Sequence, residues 1–397
     1  MISLSSYKNR RKRLAERLKE DNLDAFLASS TEGIYYLTGA TFVPEERPFF
    51  ILILPSSDPV LIVPKLEAAH MEKAGIGKVR VYDEFPAPEG SGWSEVLASC
   101  IDGVRSLGVE PDISAAKLAK IDTSDSVETI VTPVLEEMRK IKTPEEIAMI
   151  EETASWADFG MGEIIKASYD GATVVEIFSR SKSVQARVIR DTDYDPMASS
   201  FLTASWPAPF SAQPHGIPEI DDRMGKGPIV AISYLRVNGY AAEVERTYFH
   251  HRPDTQERDI FHDMMAAREL ATSMVRPGIA CHDIDQAVVG FLEKKGYKDY
   301  LLHRTGHGIG LGNHEGPWVA RGSSDILAEN MVISIEPGVY MPDIGGFRHS
   351  DTCLVTDGGC RRLTKYPDRI DDLVITGKKP VRQFLGKLLR RHLGIAP

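Results

Sequence analysis

Five groups of polar residues interrupt apolar or glycine-rich stretches of this chain, and their types suit metal binding and acid–base chemistry. The segment His303-Arg-Thr-Gly-His307-Gly-Ile-Gly-Leu-Gly-Asn-His314-Glu-Gly-Pro sets three imidazoles among glycines that let backbone approach a ligand closely. Glu336 ends the run Val332-Ile-Ser-Ile just before a proline. A carboxylate buried there needs a cation, a substrate or strong hydrogen bonds. Glu243 and Glu245 stand two apart, so on a strand they share one face. His215 lies in a Pro-rich stretch, and Arg348 in Gly346-Phe-Arg-His-Ser-Asp351.

Each group alone has an ordinary reading. A lone His303 or His314 is more often a hydrogen-bonded structural histidine. Gly306 to Gly312 lacks the strand, helix and distal acid of a dinucleotide loop. Arg348 suits an ion pair, and Glu243 with Glu245 suits a solvated face. The information lies in the combination.

The elements that must position these groups follow from local pattern. Tyr7 to Asp21 carries Leu14 and Leu18 at helical spacing, and Asp24-Ala-Phe-Leu-Ala, Phe49 to Leu54 and Pro59 to Val63 read as short buried strands. Together with further signals to about Arg139 they predict an α/β N-terminal domain, residues 1–140. Thr143-Pro-Glu-Glu is a helix start, with an N-cap threonine, proline at the first helical position and acidic residues at the positive dipole end. It opens a second domain, residues 141–376. There Pro228 to Ser233, Glu243 to Phe249, Met331 to Glu336 and Asp351 to Val355 read as strands, and Asp259 to Val275 and His282 to Lys295 as helices. In a tail, residues 377–397, Phe384, Leu385, Leu388, Leu389 and Leu393 form an apolar helical stripe opposite basic residues. Such a stripe suits a membrane-surface helix, but the expectation is that it packs onto this protein or its dimer partner.

A chain of 397 residues points to two domains. Its net charge of −10 argues against a nucleic-acid partner. The longest apolar run, Phe49 to Leu54, is far short of a spanning helix, so no membrane partner is expected. The N-terminus lacks a secretory pattern, and four cysteines without a C-x-x-C pair fit a reducing, cytoplasmic setting.

Taken in order, the motifs resemble the pita-bread superfamily of creatinase, aminopeptidase P and prolidase. Leu23-Asp-Ala-Phe-Leu, Ile34-Tyr-Tyr-Leu-Thr-Gly, Arg139-Lys-Ile-Lys-Thr-Pro-Glu-Glu-Ile, the histidine loop, Ile335-Glu-Pro-Gly and Gly-Phe-Arg carry the likeness from about Tyr7 to Ile375. It implies an α/β N-terminal domain and an α+β pita-bread catalytic domain. For the peptidases it also implies five metal ligands: two aspartates, a histidine and two glutamates. His307 and Glu336 match two of these, and Glu243 stands at the second aspartate. The first aspartate falls on Ile232 or Ser233, either register being open, and the last, bridging glutamate is Ser350. Asp351 beside it should point to the opposite face.

Two adjacent dications need several carboxylates to offset their repulsion. The depleted set therefore favours the metal-free creatinase branch, with no cofactor. On that reading the chain is a homodimeric hydrolase of a non-peptide C–N bond in a small amino-acid-like, guanidino or amidino, substrate. His215 is the general acid/base, and Glu245 and Glu336 hold a cation. His307, His314 and Arg348 complete the pocket, Trp318 replaces a creatinase arginine, and Arg47 reaches the partner's site. The alternatives are a metal-dependent Xaa-Pro peptidase with one Mn, Fe, Co or Zn on Glu243, His307 and Glu336, a non-catalytic binding protein, and a lyase on a small zwitterion.

Overall fold

The computed structural model describes residues 1–84, 86–121 and 127–395, so the last two tail residues lie outside it. The chain divides into two compact units, Met1–Arg139 and Lys140–Pro397. The first opens with helix Leu4–Glu20, capped by the Ser3 side chain and burying Tyr7, Leu14 and Leu18. Its sheet is built from β1 (Ala25–Ala28), β2 (Phe50–Ile53), β3 (Val60–Pro64), β4 (Lys78–Tyr82), β5 (Ser106–Val109) and β6 (Glu128–Val131). The order is β4-β3-β2-β1-β5-β6. The strands β1, β2 and β3 are buried at every position, as their unbroken apolar runs require.

The second unit opens with helix Pro144–Ala167, where Thr143 and Glu146 form a reciprocal capping box. Its strands are β7 (Ser200–Trp206), β8 (Ile229–Val237), β9 (Tyr240–Tyr248), β10 (Gly306–Gly308), β11 (Glu315–Val319), β12 (Val332–Ile335), β13 (Gly338–Met341), β14 (Gly345–Arg348), β15 (Ser350–Thr356) and β16 (Gly359–Arg362). The sheet runs β11-β10-β12-β15-β9-β8-β7, with β16 on β15, and β13–β14 forms a separate hairpin. Helices Thr255–Met274 and Cys281–Lys294 supply Ile260, Phe261, Met264, Ile284 and Val288 to the core. No helix among the described residues is long and apolar enough to cross a membrane.

Asn238 and Gly239 join β8 to β9 with φ of 48° and 90°. Two positive φ values make the tight hairpin turn that matches strand twist. The turn fixes the register from Val237 opposite Tyr240 down to Ile232 opposite Glu245.

The tail forms helix Pro380–His392, but its expected stripe does not pack onto this chain. Gly386 and Arg390 are the buried positions, and Phe384, Leu385, Leu388 and Leu393 are exposed. Arg390 pairs with buried Glu176 and donates to the Tyr169 hydroxyl at 3.3 Å. A buried guanidinium needs a counter-ion, and this one decides which face turns inward.

Candidate metal centre

Opposite residues of antiparallel neighbours present their side chains to the same face, and that rule assembles the site. His307 on β10 pairs with Ser334 on β12, and Ser350 on β15 pairs with Glu245 on β9. Glu243 lies two residues from Glu245, and Glu336 two residues from Ser334. All of them are on one face, beside Ile232 and Tyr234 of β8.

The ligand atoms of Glu243, His307 and Glu336 lie within 4.8 Å of one another. His307 Nε2 is 3.3 Å from Glu336 Oε1 and 3.7 Å from Glu243 Oε1. It is buried and makes no directed hydrogen bond. At the other ring nitrogen, Nδ1–H donates to the Gly308 carbonyl at 2.9 Å. With Nδ1 so engaged, Nε2 is turned to two carboxylates, an arrangement that calls for positive charge between them, a bound cation or a proton on the ring. Ser334 Oγ donates to Glu243 Oε1 at 2.5 Å and steadies that carboxylate. The Glu336 N–H donates to the Thr305 carbonyl, and Thr305 N–H donates to Asp285 at 2.8 Å, tying the histidine loop to helix Cys281–Lys294. This donor set, one imidazole and two carboxylates with an orphaned buried nitrogen between them, fits a single divalent cation.

The charges agree. Burial disfavours an imidazolium at His307, but Glu336 and Glu243 outweigh it and hold the ring up at about 9. Burial would raise Glu336, yet contact with His307 pulls it down to about 2. Burial raises Glu243. Burial pushes Glu245 upward, and Arg348 at 2.5 Å opposes the shift. Its second oxygen has no hydrogen-bond partner, and neither does Ser350 Oγ. Arg348, whose burial is outweighed by Glu245, keeps its charge firmly.

Around this core, the His314 ring stacks on His307 at 3.8 Å, and burial followed by the charge of His307 pulls it down to about 4. Trp318 lies opposite His307 on β11, exposed beneath the Arg304 guanidinium at 4.6 Å. His215 is exposed in its turn, close enough for its charge to act on His303 and His314. Arg47 belongs to the first unit, where Glu84 holds it at 2.6 Å and Glu46 at 3.4 Å.

Asp351 faces away from the site and is buried with Arg246, Arg268 and Thr364. Ser233 also faces away, since a Cβ at Gly160 of the helix behind would stand 2.3 Å from its hydroxyl. Ile232 is therefore the strand residue beside the site. The glycines of the histidine loop serve strand packing rather than a ligand: a Cβ at Gly306 would stand 2.0 Å from the Ser334 carbonyl. Sequence reasoning missed Ser334 and Tyr340. Alternation from Glu336 marks Ser334 in retrospect. No local signal marks Tyr340, whose hydroxyl donates to His303 Nε2 at 2.7 Å.

Residues 148–357 match metallopeptidase family M24, and residues 10–141 match the creatinase/prolidase N-terminal domain. The chain is 29% identical over 367 residues to an Xaa-Pro dipeptidase of Pyrococcus furiosus, covering 90% of this chain and 98% of that one. A prolidase structure from Pyrococcus horikoshii superposes with a TM-score of 0.77 at 26% identity, over 91% of this chain and 99% of the other. One from Thermococcus sibiricus gives 0.82 at 25% identity, over 94% and 99%.

These relatives overturn the expectation of a metal-free hydrolase of a non-peptide C–N bond with no cofactor. The match to an Xaa-Pro dipeptidase and a prolidase spans nearly their whole length, and the geometry of the trio in this chain could hold a metal ion. The expectation failed because the missing second-site ligands were weighed as the loss of all metal, when three donors suffice for one ion. With its creatinase-type N-terminal domain and pita-bread catalytic domain, the chain is a hydrolase that belongs to metallopeptidase family M24.

Proposed function

We propose that this chain is a metal-dependent dipeptidase that cleaves Xaa-Pro dipeptides, using one divalent cation held by Glu243, His307 and Glu336. The observation that carries the reading is the buried His307 Nε2, turned to two carboxylates while Nδ1 is engaged by the Gly308 carbonyl. The Xaa-Pro dipeptidases and prolidases among its relatives support the substrate class. Three protein ligands leave a coordination position open. When bound, a divalent cation there supplies Lewis-acid activation of a carbonyl or a water molecule.

The remaining tasks fall to side chains. Ser334 orients Glu243, and the Gly308 carbonyl orients His307. Arg304 donates to His314 Nδ1 at 3.4 Å, which leaves the His314 proton on Nε2 as a donor for substrate. Arg348 offsets the charge of Glu245 beside the trio. Trp318 and His215 line the exposed rim. Arg47, bound to Glu84 and Glu46, takes no part in this reading. The four free cysteines fit a reducing compartment. A homodimer belongs to the same proposal, and sedimentation velocity tests it.

Xaa-Pro dipeptides should be hydrolysed by the purified protein, the activity abolished by a chelator and restored by Mn. Hydrolysis that survives complete removal of metal would sink the proposal, as would failure to cleave any Xaa-Pro dipeptide with the metal site full.

A further inference from the structure

The helix Pro380–His392 is mounted with its polarity reversed relative to an ordinary surface helix. Such a helix buries its apolar stripe and exposes its charges. Here the inward side is polar: Arg390 reaches Glu176 and Tyr169, and Gly386 lies so close that an added Cβ would stand 2.0 Å from Glu176 and 2.5 Å from the Tyr169 hydroxyl. At the helix start, Lys379 Nζ donates to the carbonyls of Ile165 and Ser168, each at 2.8 Å. Two cations and a close-packed glycine thus fix the helix about its own axis.

The outward side is apolar. Val381, Phe384, Leu385 and Leu388 follow i, i+3, i+4, i+7 and are 71%, 61%, 48% and 45% exposed. Lys378, Lys387 and Arg391 are exposed beside them, and half-buried Arg382 is near enough to Arg180 and Lys379 for its charge to act on both. Between Lys378 and Ile395 there is neither Asp nor Glu, in a chain whose net charge is −10.

We propose that this helix is an interfacial anchor that seats the protein on an anionic lipid surface. The apolar ridge enters the headgroup boundary, while the flanking cations meet lipid phosphates. Charge complementarity selects this occupant. A second copy docked through the same ridge would bring two wholly basic helices side by side, setting like charges against one another. The absence of any spanning helix among the described residues leaves surface attachment as the mode this segment supports.

The test is flotation of the full-length, metal-loaded protein with two kinds of vesicle: phosphatidylcholine alone, and phosphatidylcholine with about 30% phosphatidylglycerol. Binding is expected to the anionic vesicles only, and to weaken as salt rises. The pairs Phe384→Ser with Leu388→Ser, and Lys387→Glu with Arg391→Glu, should each lower it by roughly tenfold or more. All four residues are exposed, so melting temperature and bound metal should stay unchanged in both variants. No flotation, or equal flotation with neutral vesicles, overturns the proposal. So does a concentration-dependent dimer in sedimentation that Leu388→Ser dissolves without any vesicle binding. None of these readings depends on peptidase activity.

Discussion

Ile232 stands directly opposite Glu245 across the β8–β9 pair, on the same face as Glu243, with Ser350 opposite Glu245 on its other side. Glu245 is thus flanked by an aliphatic side chain and a hydroxyl, and its counter-ion is Arg348. On the proposed function one metal per chain is expected, because Ile232 and Ser350 offer no carboxylate to a second. Ile232→Asp combined with Ser350→Glu should raise bound Mn from one to two equivalents in elemental analysis of dialysed protein. A double variant that folds and still holds one would show that the second position is blocked by Arg348 rather than by lack of ligands.

Glu243 and Glu245 share a face but should answer differently to amidation. Glu243→Gln and His307→Ala each remove a donor and should leave the protein with little bound metal. Glu245→Gln should keep the metal but lose about 3 kcal/mol of stability, because a buried Arg348 is left without its partner. Calorimetric metal titration and denaturant melts separate the outcomes. Loss of metal in Glu245→Gln alone would reverse the assignment.

Ser334→Ala removes the hydroxyl that donates to Glu243 without touching a ligand. Metal affinity should fall by roughly tenfold, the lower end for residues that orient a ligand. Unchanged affinity would mean that the strand alone places Glu243.

Asp351 neutralises Arg246 and Arg268 on the far side of the sheet. Asp351→Asn should cost about 3 kcal/mol in unfolding free energy. Metal content should not change, and its loss would mean that Asp351 is a ligand.

Acid stability should carry the mark of His349. Burial, then the charges of Arg246 and Arg268, push this fully buried imidazole well below its ordinary value. The unfolded chain binds a proton near pH 6.5 that the folded chain refuses. Its contribution is therefore constant above about pH 6.5, and stability falls by about 1.4 kcal/mol per pH unit below that. His349→Phe should flatten the decline between roughly pH 6.5 and 5 in urea melts. An unaltered slope would assign the decline to other groups.

Much of the site was legible because strand alternation is local. Glu243 with Glu245, and Ser334 with Glu336, share faces by a period of two that any reader of the chain can apply. Even the choice between Ile232 and Ser233 was written in the sequence. Asn238-Gly239 between two apolar runs marks a two-residue turn, and counting back from Val237 opposite Tyr240 puts Ile232 opposite Glu245. Flanking spacing alone leaves the register open by one residue, and the turn closes it.

The sequence by itself determined the two-domain fold, the capped start of helix Pro144–Ala167 and the identity of the three proposed donors, because capping, hydrophobic period and donor chemistry are properties of short segments. The tertiary structure alone decided which imidazole nitrogen of His307 faces the carboxylates, that Arg348 answers Glu245, and that the tail helix turns its apolar side outward. Each of these depends on a partner distant in the chain: Glu243 and Glu336 facing His307, Glu245 beside Arg348, and Glu176 beneath Arg390. A buried charge settles where its counter-ion lies, and no local pattern in the sequence says which of many carboxylates that will be.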